Sequence, residues 1–162
     1  MDIILFEPEI PPNTGNVARL CAGLGLGLHL IEPLGFSLDD RYLKRAGLDY
    51  WPYVKMRLWQ DWEKFKADWA GGRIIATSAT TGKPFTEYAP LDSDALLFGP
   101  ETRGLPDWLI SESSEAYNIP MNPGVRSINL ATSVGFFMGL ALSRLQTSHN
   151  SPSPGSGAPP SV

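Results

Sequence analysis

The sequence predicts a single α/β domain, in which helices flank a mostly parallel sheet, and three observations support this fold class. Short apolar segments, such as residues 3–6 and 96–98, alternate with longer segments whose apolar residues recur at helical spacing. Several of the short segments lead directly into loops rich in glycine and proline. The chain has 162 residues, of which 43% are hydrophobic, and this is enough to bury one core.

Six segments are predicted to be strands because they are short, apolar and bounded by turn residues. The first is followed by Glu7 and Pro8, and the second ends at Glu32 and Pro33. The predicted strands are residues 3–6, 28–31, 54–58, 73–77, 96–98 and 116–119. Strands that alternate with helices in this way are typical of a parallel sheet, since parallel neighbours need a crossover connection.

Five segments with helical spacing are predicted to be helices, namely residues 16–24, 39–47, 61–69, 106–110 and 129–145. The first follows what we expect to be a rigid loop over residues 7–16, and Asn13, Thr14 or Asn16 is a candidate cap for it. Pro106 suits the first turn of the fourth helix. The aromatic residues of the third helix are expected to lie in the core.

Composition excludes several classes of site. The net charge of -4 argues against general attraction to nucleic acid, although it allows a local basic patch. The single cysteine, Cys21, is expected to be a buried apolar residue, and no cysteine or histidine cluster has the spacing of metal ligands. No apolar run reaches the roughly 18 residues of a membrane span, and no signal peptide precedes the first strand. We therefore expect no metal and a cytoplasmic location.

Residues 1–145 are predicted to form the folded domain, and residues 146–162 are predicted to be a flexible tail. From residue 151 onward the chain contains only Ser, Pro, Gly, Ala and Val, which cannot bury a core. The glycines at 23, 25 and 27 follow a predicted helix and lack dinucleotide-binding spacing, so they indicate a helix end and a turn. His29 lies within a predicted strand and is expected to be a buried or edge histidine.

Two loops after predicted strands carry polar residues in the place where α/β sheets bind ligands. The first leads into a helix with Asn16 and Arg19, which are three residues apart and share a helix face. The second, residues 99–104, holds Glu101 and Arg103 between two glycines. Glycine lets a backbone approach a ligand closely, so we expect a side chain at Gly99 to occupy ligand space.

A third loop, residues 119–130, carries Arg126, Ser127 and Asn129 and leads into the last helix. Taken alone, the first loop has a simpler interpretation as a helix cap with a surface arginine, and Ser127 and Asn129 of the third loop have one as helix caps. A basic cluster between the second and third strands, formed by Arg41, Lys44 and Arg45, is similarly open to interpretation as a solvated helix face.

Together the three loops resemble the motifs of the SPOUT methyltransferases, in the same order along the chain. The matching residues are Asn16 and Arg19 in the first motif, Gly99, Glu101 and Gly104 in the second, and Ser127 and Asn129 in the third. Three further segments, residues 7–16, 45–50 and 98–106, resemble the subfamily of tRNA (cytidine(34)-2'-O)-methyltransferases. The resemblance covers residues 1–145 and excludes the tail.

The resemblance implies a homodimer with its active site near the interface, and a C-terminal deep trefoil knot that binds S-adenosylmethionine. It implies that the cofactor contacts Ser78, Gly99, Glu101, Gly104, Ile119 and Ser127. The implied substrate is the wobble nucleotide of a tRNA anticodon stem-loop, with leucine tRNAs as the expected species, and no metal takes part. The implied RNA contacts are Asn16, Arg41, Lys44, Arg45, Arg103 and Arg126.

The implied catalytic residues are Arg19, Ser127 and Asn129, which would act on a ribose 2'-hydroxyl. The family assigns proton removal to the first-motif arginine. A guanidinium has a pKa above about 12, however, so Arg19 is open to a second interpretation as a permanent cation that stabilises the developing alkoxide or holds a phosphate. Glu101 is expected to organise its loop by accepting hydrogen bonds.

The sequence leaves two alternatives to a methyltransferase of the wobble nucleotide. One is a SPOUT ribose methyltransferase that acts at another position of tRNA or on rRNA. The other is a non-catalytic RNA-binding knot protein. The presence of Arg19, Glu101, Ser127 and Asn129 argues against the second alternative, because a protein without catalysis does not need all four.

Overall fold

Seven parallel strands form one sheet in the computed structural model, which describes residues 1–38 and 50–149. The strands are β1 (Asp2–Phe6), β2 (Gly27–Ile31), β3 (Lys55–Trp59), β4 (Ile74–Ser78), β5 (Lys83–Pro84), β6 (Ala95–Phe98) and β7 (Glu115–Asn118). Their order across the sheet is β3-β2-β1-β6-β4-β7-β5. The predicted α/β fold is confirmed, and all six predicted strands are present within one or two residues of their expected bounds. Only β5, two residues long, lacked a sequence signal.

Within the described residues, four helices flank the sheet: α1 (Pro11–Leu24), α2 (Trp62–Asp68), α3 (Asp107–Glu112) and α4 (Leu130–His149). Two short 3-10 turns, Trp51–Tyr53 and Phe85–Glu87, precede β3 and follow β5. The predicted helix at 39–47 and the tail from residue 150 lie outside the described residues. Helix α4 continues to His149, four residues past the domain boundary expected at 145.

The start of α1 corrects one prediction. The helix begins at Pro11, five residues earlier than expected, so residues 11–16 are helical and only residues 7–10 form a loop. Proline is favoured in the first turn because its fixed φ suits the helix and its missing N–H needs no partner there. Ile10 is the N-cap and makes no side-chain capping bond, so the interpretation of Asn13, Thr14 or Asn16 as a cap is wrong.

The two faces of the sheet bury separate apolar clusters because side chains alternate along each strand. Ile3 and Leu5 of β1 pack with α1 and α4, in a cluster that includes Phe137. Ile4 and Phe6 point to the other face and pack with α2 and α3. The aromatic residues of α2 lie in this second cluster, as predicted, and the sheet is therefore the middle of three layers.

An ion-pair network aligns β4 with β6 at the amino ends of the strands. Arg73 donates from Nε and Nη2 to the two oxygens of Asp94 at 3.0 and 2.8 Å, and Asp94 is fully buried. The Tyr88 hydroxyl and the Leu91 backbone N–H also donate to Asp94, at 2.8 and 2.9 Å. A buried carboxylate needs this number of donors to offset its desolvation, so the network holds both strands in a single register.

His29 is a buried residue of β2, in agreement with the prediction of a buried or edge histidine. The indole N–H of Trp59 donates to Nδ1 of His29 at 3.0 Å, and the rings of Phe65 and Trp69 contact the imidazole edge-on. This hydrogen bond requires Nδ1 to be an acceptor and therefore favours the neutral ring. Burial lowers the pKa of His29 below its usual value, which also favours the neutral form.

We expect His29 to make the protein less stable as the pH falls below about 6.5, the pKa of histidine in an unfolded chain. In that range the His29 imidazole binds a proton in the unfolded state but not in the folded state, so the free energy of unfolding decreases. His29→Asn keeps an acceptor for Trp59 and does not titrate. Urea unfolding at pH 7.5 and 5.5 should show a smaller pH-dependent loss of stability in His29→Asn than in the wild type; equal losses would contradict this account.

Candidate functional site

Four loops meet at the carboxyl ends of β1, β6, β4 and β7, which are neighbours in the sheet. They enclose a cavity of about 610 Å³. The cavity is lined by all six residues predicted to bind a cofactor, Ser78, Gly99, Glu101, Gly104, Ile119 and Ser127, and also by Asn129, Arg103 and Arg126. Four loops from different parts of the sequence are thus brought to one site, at the edge where parallel sheets bind ligands.

Two glutamates tie the β1–α1 loop to the β6–α3 loop by reciprocal hydrogen bonds. The Glu101 carboxylate accepts from the backbone N–H groups of Glu9 and Ile10, at 2.8 and 3.3 Å. In return, the Glu9 carboxylate accepts from the backbone N–H and the hydroxyl of Thr102, both at 2.9 Å. The bonds from Thr102 lower the pKa of Glu9, because they favour its charged form.

Asn13 extends this connection to the third loop. Its side-chain amide donates to Glu101 at 3.1 Å, and its carbonyl oxygen accepts from the Asn129 amide at 2.7 Å. The Asn129 oxygen in turn accepts from the Thr132 N–H at 3.3 Å, within the first turn of α4. Asn13 is buried at 7% exposure. Asn13 was not predicted to be a site residue, because a helix cap explained its position in the sequence equally well.

The glycines of the second loop are needed for the shape of the loop itself. A Cβ on Gly99 would lie 2.4 Å from the backbone nitrogen of Leu105, so the expectation that it would first meet a ligand needs correction. Gly104 has a φ of +70°, which side chains other than glycine rarely adopt. Its N–H donates to the Pro100 carbonyl at 2.8 Å and closes the turn.

The remaining walls come from the loops after β4 and β7. The Ser78 hydroxyl oxygen accepts from the backbone N–H groups of Thr80 and Thr81, at 3.2 and 3.1 Å, and so shapes the turn that follows β4. Ile119 is half-buried, whereas Ser127 is exposed. The cavity therefore combines apolar, hydroxyl and backbone surfaces.

The arginines at the cavity differ in how far nearby carboxylates neutralise their charge. The Arg103 guanidinium pairs with Glu7 and lies 3.6 Å from a carboxylate oxygen of Glu9, although its side chain is 58% exposed. Glu7 has a φ of +48°, an uncommon conformation for a residue other than glycine. Arg126 lines the cavity from an exposed position on the loop after β7. The mouth of the cavity thus presents two arginines, one of them largely neutralised.

Arg19 does not line this cavity in the described part of the chain. It lies on the exposed face of α1, six residues beyond Asn13, which corresponds to a rise of roughly 9 Å along a helix. Its Nη2 donates to the Tyr50 hydroxyl at 3.2 Å, and the guanidinium carbon lies 4.6 Å from the centre of the Tyr50 ring. Of the three predicted catalytic residues, the structure therefore brings together Ser127 and Asn129.

Of the other predicted RNA contacts, Asn16 is exposed on α1, one turn before Arg19. Arg41, Lys44 and Arg45 lie outside the described residues.

Among residues 1–38 and 50–149, no group of three or more potential ligands is arranged to hold a metal ion. Burial raises the pKa of Cys21 to about 12, as expected for an unreactive core thiol. Within the same residues, no helix is long and apolar enough to span a membrane.

Comparison with known proteins gives consistent results. The model of the SpoU rRNA Methylase family matches residues 1–139. A protein of Methylovorus glucosotrophus named tRNA (cytidine(34)-2'-O)-methyltransferase is 45% identical over 139 residues, which cover 85% of this chain and 90% of that protein. A protein of the same name from Aeromonas hydrophila is 48% identical over 142 residues, with the same coverage of both chains.

Solved structures extend the likeness to three dimensions. A structure described as giving insights into 2-OH methylation of C/U34 on tRNA has a TM-score of 0.86 and 46% identity, and the match covers 90% of this chain and 96% of that one. The SpoU methyltransferase AviRb of Streptomyces viridochromogenes, solved with the cofactor AdoMet, has a TM-score of 0.79 at 17% identity, over 91% of this chain and 61% of that one. The second likeness concerns the fold alone.

We expect Glu101→Gln to lower the free energy of unfolding by about 1–3 kcal/mol, the cost of leaving a part-buried donor without its acceptor. The carboxylate accepts from three donors, and an amide group would place its NH₂ against at least one of them. Chemical denaturation is the measurement, and Glu87→Gln, at an exposed site, is the matched control. Similar stabilities of the two variants would show that Glu101 does not hold the loops together.

Proposed function

The chain belongs to the SpoU rRNA Methylase family, and from this premise we propose that it methylates the ribose 2'-hydroxyl of nucleotide 34 in tRNA, with S-adenosylmethionine as the methyl donor. The observation that carries the proposal is the similarity to two relatives named tRNA (cytidine(34)-2'-O)-methyltransferase, which are 45% and 48% identical to this chain. The match covers 90% of the length of each relative. We also propose that the protein acts in the cytoplasm and that its substrates are leucine tRNAs.

The cavity fits such a methyl donor in size and in chemistry. A volume of about 610 Å³ lies within the usual range for small-molecule sites. The loop from Gly99 to Gly104 and the segment from Ile119 to Ser127 would hold the donor through backbone groups and apolar contacts. When bound, the donor supplies a methyl group activated by a positively charged sulfur.

The residues of this chain would orient the ribose and stabilise its charge. Asn129 is fixed by Asn13, so its position at the cavity is defined before the substrate arrives. Arg19 lies against an aromatic ring, whose face attracts a cation. We infer that Arg19 stabilises the alkoxide as the hydroxyl proton leaves to water or to a phosphate.

RNA binding by an acidic protein requires a local concentration of positive charge. Arg103 and Arg126 line the cavity and are exposed, which suits contacts to phosphates on either side of the target nucleotide. Arg41, Lys44 and Arg45 are proposed to add to this surface on the strength of the resemblance alone.

We propose that the active form is a homodimer whose interface lies close to the cavity. Apolar side chains are exposed on α4 and on the loops beside the cavity, as shown by Phe136 at 48%, Val125 at 51% and Ile10 at 40%. Large apolar side chains exposed to this degree are candidates for burial in an interaction surface. A second copy would cover them and would complete the surroundings of the substrate.

A second candidate is ribose methylation of rRNA, which the description of the matched family favours. The two activities differ only in the RNA that is bound, and the chemistry at the cavity would be the same. Incubation of total RNA with labelled donor, followed by mass spectrometric mapping of the modified nucleotide, separates them. Label at position 34 of tRNA supports the first proposal, label in rRNA supports the second, and no label supports a non-catalytic protein.

Arg19→Ala is expected to lower kcat for tRNA methylation at least about 100-fold, because it removes the positive charge that stabilises the alkoxide. The dissociation constant of the methyl donor, measured by calorimetric titration, should stay unchanged, since Arg19 does not line the cavity. An equal loss of donor affinity would contradict the assignment of Arg19 to the transfer step.

Phe136→Asp is expected to convert the dimer into a monomer, because a carboxylate would be desolvated in the apolar interface. Light scattering after size-exclusion chromatography measures the mass. Leu58→Asp, at a residue of β3 that is 43% exposed, is the control and should leave the dimer intact. A dimeric Phe136→Asp variant would place the interface elsewhere.

A further inference from the structure

We propose that Tyr50 is a positioning residue that holds the Arg19 guanidinium in place for methyl transfer. This inference rests on the proposed function, in which Arg19 acts on the ribose hydroxyl. It adds a residue that belongs to none of the four loops around the cavity.

Two contacts of different kinds fix the guanidinium against Tyr50. The hydrogen bond from Arg19 Nη2 to the phenol oxygen is 3.2 Å long, and the guanidinium carbon lies 4.6 Å from the ring centre. The ring face attracts the cation, while the hydroxyl accepts one of its N–H groups. Together they restrict the orientation of a long side chain that is otherwise exposed.

The neutrality of Tyr50 is what suits it to this task. Among residues 1–38 and 50–149, Arg19 forms no ion pair, whereas Arg57, Arg73 and Arg103 each face a carboxylate. A carboxylate partner would cancel much of the positive charge that an alkoxide or a phosphate needs. An aromatic partner fixes the guanidinium and leaves its charge available to the substrate.

Tyr50 is itself anchored to the sheet. Its carbonyl accepts from the Tyr53 N–H at 2.8 Å, which closes the 3-10 turn Trp51–Tyr53 directly before β3. Strand β3 is paired along its length with β2, and α1 contacts both the turn and β3. Tyr50 and Arg19 therefore approach each other from two elements held by the same core.

Two substitutions separate the contacts. Tyr50→Phe keeps the ring and removes the acceptor, whereas Tyr50→Leu removes both. We expect Tyr50→Leu to lower kcat about 10- to 100-fold through misorientation of Arg19, and Tyr50→Phe to show a smaller loss. The KM and the dissociation constant of the methyl donor should not change in either variant. Tyr53→Leu, three residues away and 71% exposed, is the matched control.

A second readout reports the contact without using activity. In a ¹H–¹⁵N spectrum, the Arg19 side-chain Nε–Hε signal is identified by its loss in Arg19→Lys. Ring currents from Tyr50 should shift this signal in the wild type. We expect the shift to persist in Tyr50→Phe and Tyr53→Leu and to disappear in Tyr50→Leu.

The outcomes distinguish this inference from the proposed function. If the wild type methylates tRNA and Tyr50→Leu keeps its full kcat, or loses no more than Tyr53→Leu, Tyr50 is not a positioning residue. An Arg19 signal unchanged in Tyr50→Leu overturns the contact itself. If the wild type methylates no RNA, the proposed function fails and the positioning role fails with it, even where the spectrum shows the contact. Should Tyr50→Leu not fold, the kcat of Tyr50→Phe decides. A loss of kcat greater than that of Tyr53→Leu supports the positioning role, and a loss no greater than that overturns it.

Discussion

The Glu101 carboxylate is the group on which the rest of the site depends. It accepts hydrogen bonds from two backbone N–H groups and from Asn13, all of them about 90 residues away in the chain. Because Asn13 also accepts from Asn129, one carboxylate fixes three of the four loops around the cavity relative to each other. A carboxylate is suited to this position because it offers acceptors only, and charged acceptors form the stronger hydrogen bonds.

The order of the strands explains why these loops meet. Strand β6 lies between β1 and β4, so the loop after β6 is flanked by the loops after β1 and β4, and β7 adds the fourth wall. All of the strands are parallel, and their carboxyl ends therefore lie at one edge. The Arg73–Asp94 network holds β4 against β6 at the opposite edge, so the site is formed by loops on a rigid sheet.

The arginines near the site differ in the partners that they face. Arg103 is paired with carboxylates of its neighbouring loop and contributes to loop structure as well as to the surface. Arg19 faces an aromatic ring and forms no ion pair among residues 1–38 and 50–149. Because the chain as a whole is acidic, an arginine that faces no carboxylate contributes more to the local positive potential than a paired one does.

Local patterns in the sequence were sufficient to determine the six principal strands, the α/β class and three of the four loops that line the cavity. Each of these follows from apolar periodicity or from turn residues, which act over a few neighbours. Only the tertiary structure decided the site role of Asn13, the backbone contact that requires glycine at 99, and the position of Arg19 against Tyr50. These depend on contacts between residues far apart in the chain, and no local pattern encodes which distant partner a buried polar side chain will meet.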